Sequence, residues 1–519
     1  MKKVPLSLLA TFLLWATVSA CKRDVSQPSG SPSPHGEQLN LSNSAYHLNI
    51  VYFVPSDMDT LIKYRERISG IMLQGQRFYG KWMQHYGYGN RSFGLLPDST
   101  GKGIKIIVVK GKQTKDKYPY EGGGNIAIGE LNSYFAANPA QKTSEHTLVI
   151  MPASTYAADG DPGGVPFYGL GRWCFALDYK EMDTSYLGTG GVLGNRATKW
   201  IGGLMHELGH GLNLPHNKEK VSEAADTSKG TALMGSGNYT YGKSPTFLTA
   251  ASTAILNNSQ TFRTTTVTDL YGSVSVSMKS IKAQYLSGNI EIKAKFTNNK
   301  PVNNVILYND PEGGNDYDAV PWVVKPVGDS FNISMPINEL HKKEGNYSLR
   351  IRFLFENGSL KELSYPYSFV NNVPVIDIST KDELDKSTWK IVSVNSEEDD
   401  GKAVNLLDNN PQTVWHTQWK QVQPAHPHHV VVDMQAIRNI SGISFLQREN
   451  LSGALKDISI YTSADNTNWA LEGNYILKNV NTIQYITLNN PKSVRYFKIV
   501  TASNYYNDHY AVLAECGAF

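Results

Sequence analysis

HELGHGLNLPH, residues 206–216, decides how the first half of this chain is read. Around it, Trp200, Ile201, Leu204, Met205, Leu208 and Leu212 fall on one arc of a helix, about 140° wide at 100° per residue. His206 and His210 leave that helix from the opposite side. The pattern predicts a helix with one face in a core and two imidazoles offered to a cleft. Residues at i and i+4 stand one turn apart, near enough for both rings to reach one zinc at about 2.0–2.1 Å. Glu207 projects toward the cleft edge, where a carboxylate takes a proton from water on the metal instead of binding the ion. A catalytic zinc needs a third protein ligand and one open position. His216 can be that ligand if the chain bends back after His210. Such a bend wants positive φ. Asn213, of the residue type most tolerant of it after glycine, stands at the position, and Pro215 forbids further helix.

The surroundings of the motif predict an α/β layer. LNIVYFV (48–54), IKIIVV (104–109), TLVIM (147–151) and RWCFALD (172–178) read as buried strands. Ser56 with Asp59 three residues on has the form of a helix start. Leu61, Tyr64, Ile68, Ile71, Met72, Phe78 and Trp82 carry helical spacing on to about residue 86. The order strand, helix, strand, strand belongs to an α/β domain. Cys174 and Cys516 fall in different predicted domains, so both are expected as buried free thiols.

His206-Glu207-x-x-His210-x-x-Asn213-x-x-His216 resembles the long zinc signature of the metzincin metallopeptidases, with asparagine in place of glycine. The resemblance covers roughly residues 46–268. It implies a five-stranded sheet above an extended cleft with zinc at its floor, and a strand at the cleft, in the region 168–178, that pairs with an extended substrate. It also implies a methionine turn beneath the metal. TALMGSGNYTYG (231–242) supplies Met234 for that turn, as packing and not as a ligand. Tyr239 and Tyr241 are the nearest candidates for the tyrosine that assists the transition state in some members, although neither has that subgroup's offset.

From about residue 269 the helical signal fades. NIEIKAKF (289–296) alternates apolar with polar, VILYND, SFNISM and YSLRIRFLF continue the theme, and Asn357-Gly358 is a hairpin signal. Residues 269–372 are therefore expected to form a seven-strand-type, immunoglobulin-like β-sandwich with no chemistry of its own, a spacer. Residues 373–519 contain STWKIVSVNSEE, NLLDNNPQTVWHTQW, ISIYTSADNTNW and VRYFKIVTASNYYNDHYAVLAE. Together they resemble a discoidin, or coagulation-factor type C, domain, the jelly-roll fold shared with carbohydrate-binding family 32. The resemblance rests on Trp389, Asp408, Thr413, Trp415, Asp433, Ser463, Asp465, Trp469, Arg495, Tyr496 and Glu515. It implies a structural calcium near Asp408, Thr413 and Glu515. It also implies glycan contacts at loop ends, for which Trp419, Tyr505, Tyr506 and His509 are the candidates.

At the N-terminus, Lys2 and Lys3 precede a short apolar run and Val18-Ser19-Ala20-Cys21. This reads as an export signal over residues 1–21 and resembles a bacterial lipobox, which implies a lipid on Cys21. Lys22 follows, which favours an outer-membrane lipoprotein facing the cell surface or the periplasm. Residues 22–45 are polar and rich in Pro, Ser and Gly, a tether. With a net charge of +3 and no basic stripe, nucleic acid is not an expected partner. The expected partners are a protein or glycoprotein substrate, a glycan, and a membrane reached through the lipid. The leading expectation is a lipid-anchored zinc endopeptidase acting on glycoproteins. Two alternatives stay open: a non-catalytic glycan-binding or adhesion protein with a relic metal site, and a zinc amidase acting on peptidoglycan.

Overall fold

The computed structural model describes residues 44–519, so the export signal, Cys21 and most of the tether lie outside the described residues. The first layer is a five-stranded sheet. Strands Ile107–Lys110, Asn49–Val54, Thr147–Pro152 and Trp173–Asp178 run parallel in that order, and Gly169–Leu170 pairs antiparallel with the last as an edge. Every position of Asn49–Val54 and of Thr147–Pro152 is buried, as expected where both faces of parallel strands are covered. Helices Tyr64–His85, Gly123–Ala137 and Gly191–Gly211 complete the layer. The first of these begins later than the Ser56–Asp59 signature predicts. Asp57 accepts the amide of Lys115 from across the sheet (2.8 Å), and the helix starts only after Lys63, which takes a positive φ of 56°.

The middle of the chain is a sandwich of two antiparallel sheets. One has the order Ser330–Pro336, Asn289–Asn298, Val276–Leu286, Asp377–Ser379. The other has the order Val320–Val324, Val302–Pro311, Gly345–Phe355, Leu360–Val370, Val373–Val375. Side chains such as Ile281 and Ile292 from one sheet meet Val305, Leu307 and Leu349 from the other in a single core. Seven strands lie within residues 269–372, as expected, and two short ones past that boundary, Val373–Val375 and Asp377–Ser379, bring the sandwich to nine. The final stretch pairs first with Leu360–Val370 and then crosses to Val276–Leu286, so it closes both sheets. Asn357-Gly358 makes the expected hairpin turn, with φ 86° at Gly358.

The C-terminal module is a six-stranded sheet built on two long strands, His428–Leu446 and Gln484–Thr501. Trp389, Trp415, Ile460 and Phe497 lie in its core, and Glu515–Ala518 returns to pair with His428–Leu446. No helix among the described residues is long and apolar enough to cross a membrane.

The sandwich is bolted to the α/β layer at several points. Asn258 Nδ2 donates to the Phe355 carbonyl (3.1 Å), the Tyr271 amide to the Asn357 carbonyl (2.9 Å), and the Lys218 amide to the Ala319 carbonyl (2.8 Å).

Candidate metal centre

Helix Gly191–Gly211 delivers His206, Glu207 and His210 near its C-terminal end. Beyond it Asn213 takes φ 71°, as the sequence requires, and the Leu214 amide returns to the Gly209 carbonyl (2.9 Å). This reversal brings His216 back to His210, with their Nε2 atoms 3.0 Å apart. The ligand atoms of His206, His210 and His216 lie within 4.8 Å of one another, the one group among the described residues that could hold a metal.

Each imidazole gives its other nitrogen to a main-chain carbonyl. His206 Nδ1 donates to Leu233 (2.7 Å), His210 Nδ1 to Leu214 (2.9 Å) and His216 Nδ1 to Asn315 (3.1 Å). A carbonyl only accepts, so each Nδ1 carries the proton and each Nε2 keeps a lone pair. Two such lone pairs at 3.0 Å face each other with no proton to share, an arrangement that a cation between them relieves. Ligands about 2.0–2.1 Å from one tetrahedral ion stand roughly 3.3 Å apart, close to the His210–His216 spacing, and with His206 within 4.8 Å of both the donor set fits zinc. Burial pushes His206 down to about 3 and His210 to about 4, with neighbouring imidazoles adding to the effect on these two, and burial also lowers His216. The neutral form thus maintained is the ligating form.

Met234 follows Leu233, whose carbonyl holds His206. Its sulfur lies 2.3 Å from where a Cβ on Gly209 would stand, so it packs beneath the helix between the two histidines, and Gly209 permits the approach. Asn217, fully buried, ties the His216 segment to this turn: its amide donates to the Met234 carbonyl (3.2 Å) and its side chain bonds Thr249 and Ser252. Sequence reasoning missed Asn217; its one signal is a polar residue directly after the last ligand.

Glu207 accepts the Gly169 amide, and burial pushes its carboxyl up to about 8. Gly169 crosses so close over the helix that a Cβ there would stand 2.3 Å from His210 Cβ. The edge strand Gly169–Leu170 therefore runs along the centre, within the region 168–178 assigned to it from sequence.

Three exposed tyrosines, Tyr120, Tyr239 and Tyr317, border the site. The hydroxyls of Tyr120 and Tyr317 are raised by burial and then by the charge of Glu207, and Tyr239 adds to the effect on Tyr317. Tyr241 is not among them. It is 3% exposed and packs edge-on to Phe78 (5.1 Å) against Gly202, in the core behind the helix, so it cannot serve the reaction. Tyr317 and Asn315 come from the sandwich, which sequence reading treated as a spacer. Their one sequence signal is the turn-rich stretch PEGGNDYD (311–318) between two strands.

In the C-terminal module Thr413 Oγ1 donates to Asp408 (2.7 Å), and Asp408 lies near enough to Glu515 to add to the burial that raises its carboxyl, whose Oε1 is buried without a hydrogen-bond partner. The three predicted calcium ligands do meet. The ammonium of Lys386 bonds Glu515 and the carbonyls of Leu406 (3.2 Å) and Cys516 (3.1 Å). Among the predicted glycan contacts, Trp419 and Tyr506 are exposed. The loops carrying Trp419 and His509 are joined where Thr417 N–H meets the Ala511 carbonyl (3.1 Å). Tyr505 instead turns its hydroxyl to the Leu477 carbonyl (2.6 Å), and His509 offers its carbonyl to His428 (2.8 Å). Cys174 and Cys516 are buried free thiols, as expected.

Fold and site together define a modular chain: an α/β layer with a three-histidine, one-glutamate centre, a β-sandwich, and an F5/8 type C domain whose family model matches residues 390–516. The chain belongs to the family of OgpA from Akkermansia muciniphila. It is 40% identical to one crystal structure of wild-type OgpA, with a TM-score of 0.61, covering 65% of this chain and 97% of that one. A catalytically inactive OgpA in complex with an O-glycopeptide substrate, glycodrosocin, is 39% identical with a TM-score of 0.62, over 65% of this chain and 97% of that one. Among curated proteins, a sialidase of Micromonospora viridifaciens is 31% identical over 140 residues, 25% of this chain but only 21% of the sialidase.

Proposed function

We propose that this chain is a zinc endopeptidase of metzincin type that cleaves O-glycosylated proteins or peptides and uses its C-terminal module to hold glycan. The observation that carries the reading is the pair of unprotonated Nε2 atoms of His210 and His216, 3.0 Å apart with His206 beside them. When bound, zinc would supply Lewis acidity, acidifying water and polarising a carbonyl. The chain's own groups do the rest. His206, His210 and His216 are held neutral and correctly turned by three main-chain carbonyls. Glu207, with a proton affinity raised by burial, is suited to take a proton from water and return it to the leaving amine. The Gly169–Leu170 edge borders the centre, where an extended peptide can lie beside it. The substrate class is supported by kinship with OgpA, whose inactive form was solved with an O-glycopeptide, and by the F5/8 type C domain.

Glu207→Gln tests the reaction. It is expected to retain zinc and fold while cleavage of an O-glycopeptide falls by roughly 10²- to 10⁴-fold. A Glu207→Gln protein cutting at the wild-type rate refutes the assignment. Export and a lipid at Cys21 are part of the proposal and are supported by the sequence of residues 1–21 alone. Cys21→Ser is expected to move the protein from the membrane fraction to the soluble one, and unchanged fractionation rejects the anchor.

A further inference from the structure

We propose that the β-sandwich is part of the metal centre: its loop at residues 312–319 holds His216 in ligating posture, with Tyr317 as the positioning residue. This rests on the reading of the histidine triad as a metal site and adds what sets its third ligand.

The three histidines are not held alike. His206 and His210 stand on a helix, and both Nδ1 partners, Leu233 and Leu214, belong to the α/β layer. His216 lies in an irregular segment between helices, and its Nδ1 partner is the carbonyl of Asn315, 99 residues further along. One side of the His216 ring meets the edge of His210 (4.6 Å, 81°). Tyr317 stacks on it at 3.6 Å with the planes 23° apart. The carbonyl thus fixes the tautomer and the stack fixes the ring plane, and together they aim Nε2 at the other two ligands.

The loop is built to stay in place. Asn315 and Asp316 take left-handed backbone, with φ 47° and 66°. Asp318 accepts from Lys218, two residues past His216, at 2.8 Å, and also pairs with Lys342. The Lys218 amide donates to the Ala319 carbonyl (2.8 Å), and Asp316 pairs with Arg350 on the sandwich face. The loop is therefore tied both to the ligand segment and to its own domain. Tyr317 itself is 44% exposed, a large ring that is not core and that lies flat on a ligand.

The test uses the full chain, stripped of metal and titrated with zinc against a chelating indicator. Wild type is expected to bind one zinc tightly, and His206→Ala to lose it. Tyr317→Ala is expected to bind zinc ten- to a hundredfold more weakly, and Tyr317→Phe, which keeps the stack, within about threefold of wild type. The apo forms of both Tyr317 variants are expected to melt together with wild type, which separates ligand positioning from loss of fold. Tyr317→Ala with wild-type affinity overturns the inference and leaves the metal site standing. A wild-type protein that binds no zinc, or a His206→Ala protein that binds it equally well, overturns the reading beneath it.

Discussion

Two sites among the described residues gather oxygen or nitrogen donors closely, and they meet that crowding in opposite ways. In the triad each imidazole keeps one lone pair directed inward, an arrangement that calls for an ion from outside. In the C-terminal module the positive charge is already covalent, because Lys386 reaches Glu515 and two carbonyls with side chains of 8% and 10% exposure. Burial pushes Glu515 up to about 7 even beside the ammonium. Removing one member of a buried pair costs about 3–5 kcal/mol, less where the survivor can take up a proton, as Glu515 can. Lys386→Met is accordingly expected to destabilise the protein by roughly 3 kcal/mol in denaturant unfolding. Chelating calcium from wild type is expected to leave the unfolding of this module unchanged. A chelator-sensitive module, or a Lys386→Met protein as stable as wild type, shows that the ammonium is not the cation this site relies on.

At the scale of elements, the end of the histidine helix is fastened by a residue far from the site in sequence. His146, completely buried just before strand Thr147–Pro152, donates from Nδ1 to the carbonyl of Gly211 (2.6 Å) and meets the Tyr271 hydroxyl through Nε2 (2.6 Å). Tyr271 lies in the connection to the sandwich, with the Arg172 guanidinium 3.7 Å over its ring. Burial pulls His146 down to about 4 from its ordinary 6.5. Between those values the unfolded chain binds a proton that the folded chain does not. Stability therefore falls as pH drops from about 6.5 toward 4, by roughly 3 kcal/mol from this residue. The triad is depressed in the same window, so the informative quantity is a difference: His146→Gln is expected to reduce the pH slope of unfolding by about one proton. Urea midpoints across pH 4–7 measure it, and an unchanged slope removes His146 from the account. The helix itself was legible because periodicity reports which face is buried, and Asn213 was legible because few residues accept its φ. The start of helix Tyr64–His85 was not. Asp57, inside the Ser56–Asp59 signature, bonds Lys115 from a distant segment, and no local pattern reports such a bond.

Across the whole molecule the same distinction holds. Three successive units were legible, because strand alternation, turn residues and aromatic positions are local signals. What lay beyond the sequence was which units touch. The sandwich carries no cluster of ligating or nucleophilic side chains, so it read as a spacer. Its contribution is a main-chain carbonyl and one ring, and a carbonyl has no sequence signature. The sandwich runs past residue 372 for a related reason: Val373–Val375 and Asp377–Ser379 are three residues each and gain their order from pairing with strands already formed.

The span between His216 and Asn315 also bears on synthesis. Domains tend to fold in turn as the ribosome extends the chain, at about 5–20 residues per second. The α/β layer, whose last packed turn is Gln260–Phe262, can be complete while Asn315, whose carbonyl orients its third imidazole, is still 53 residues from being made (315 − 262). For several seconds the nascent chain holds two of its imidazoles fully oriented while the third, though its segment is tied down, lacks the carbonyl and ring that set its plane. The triad is therefore completed late, only once residues 312–319 have been made and docked.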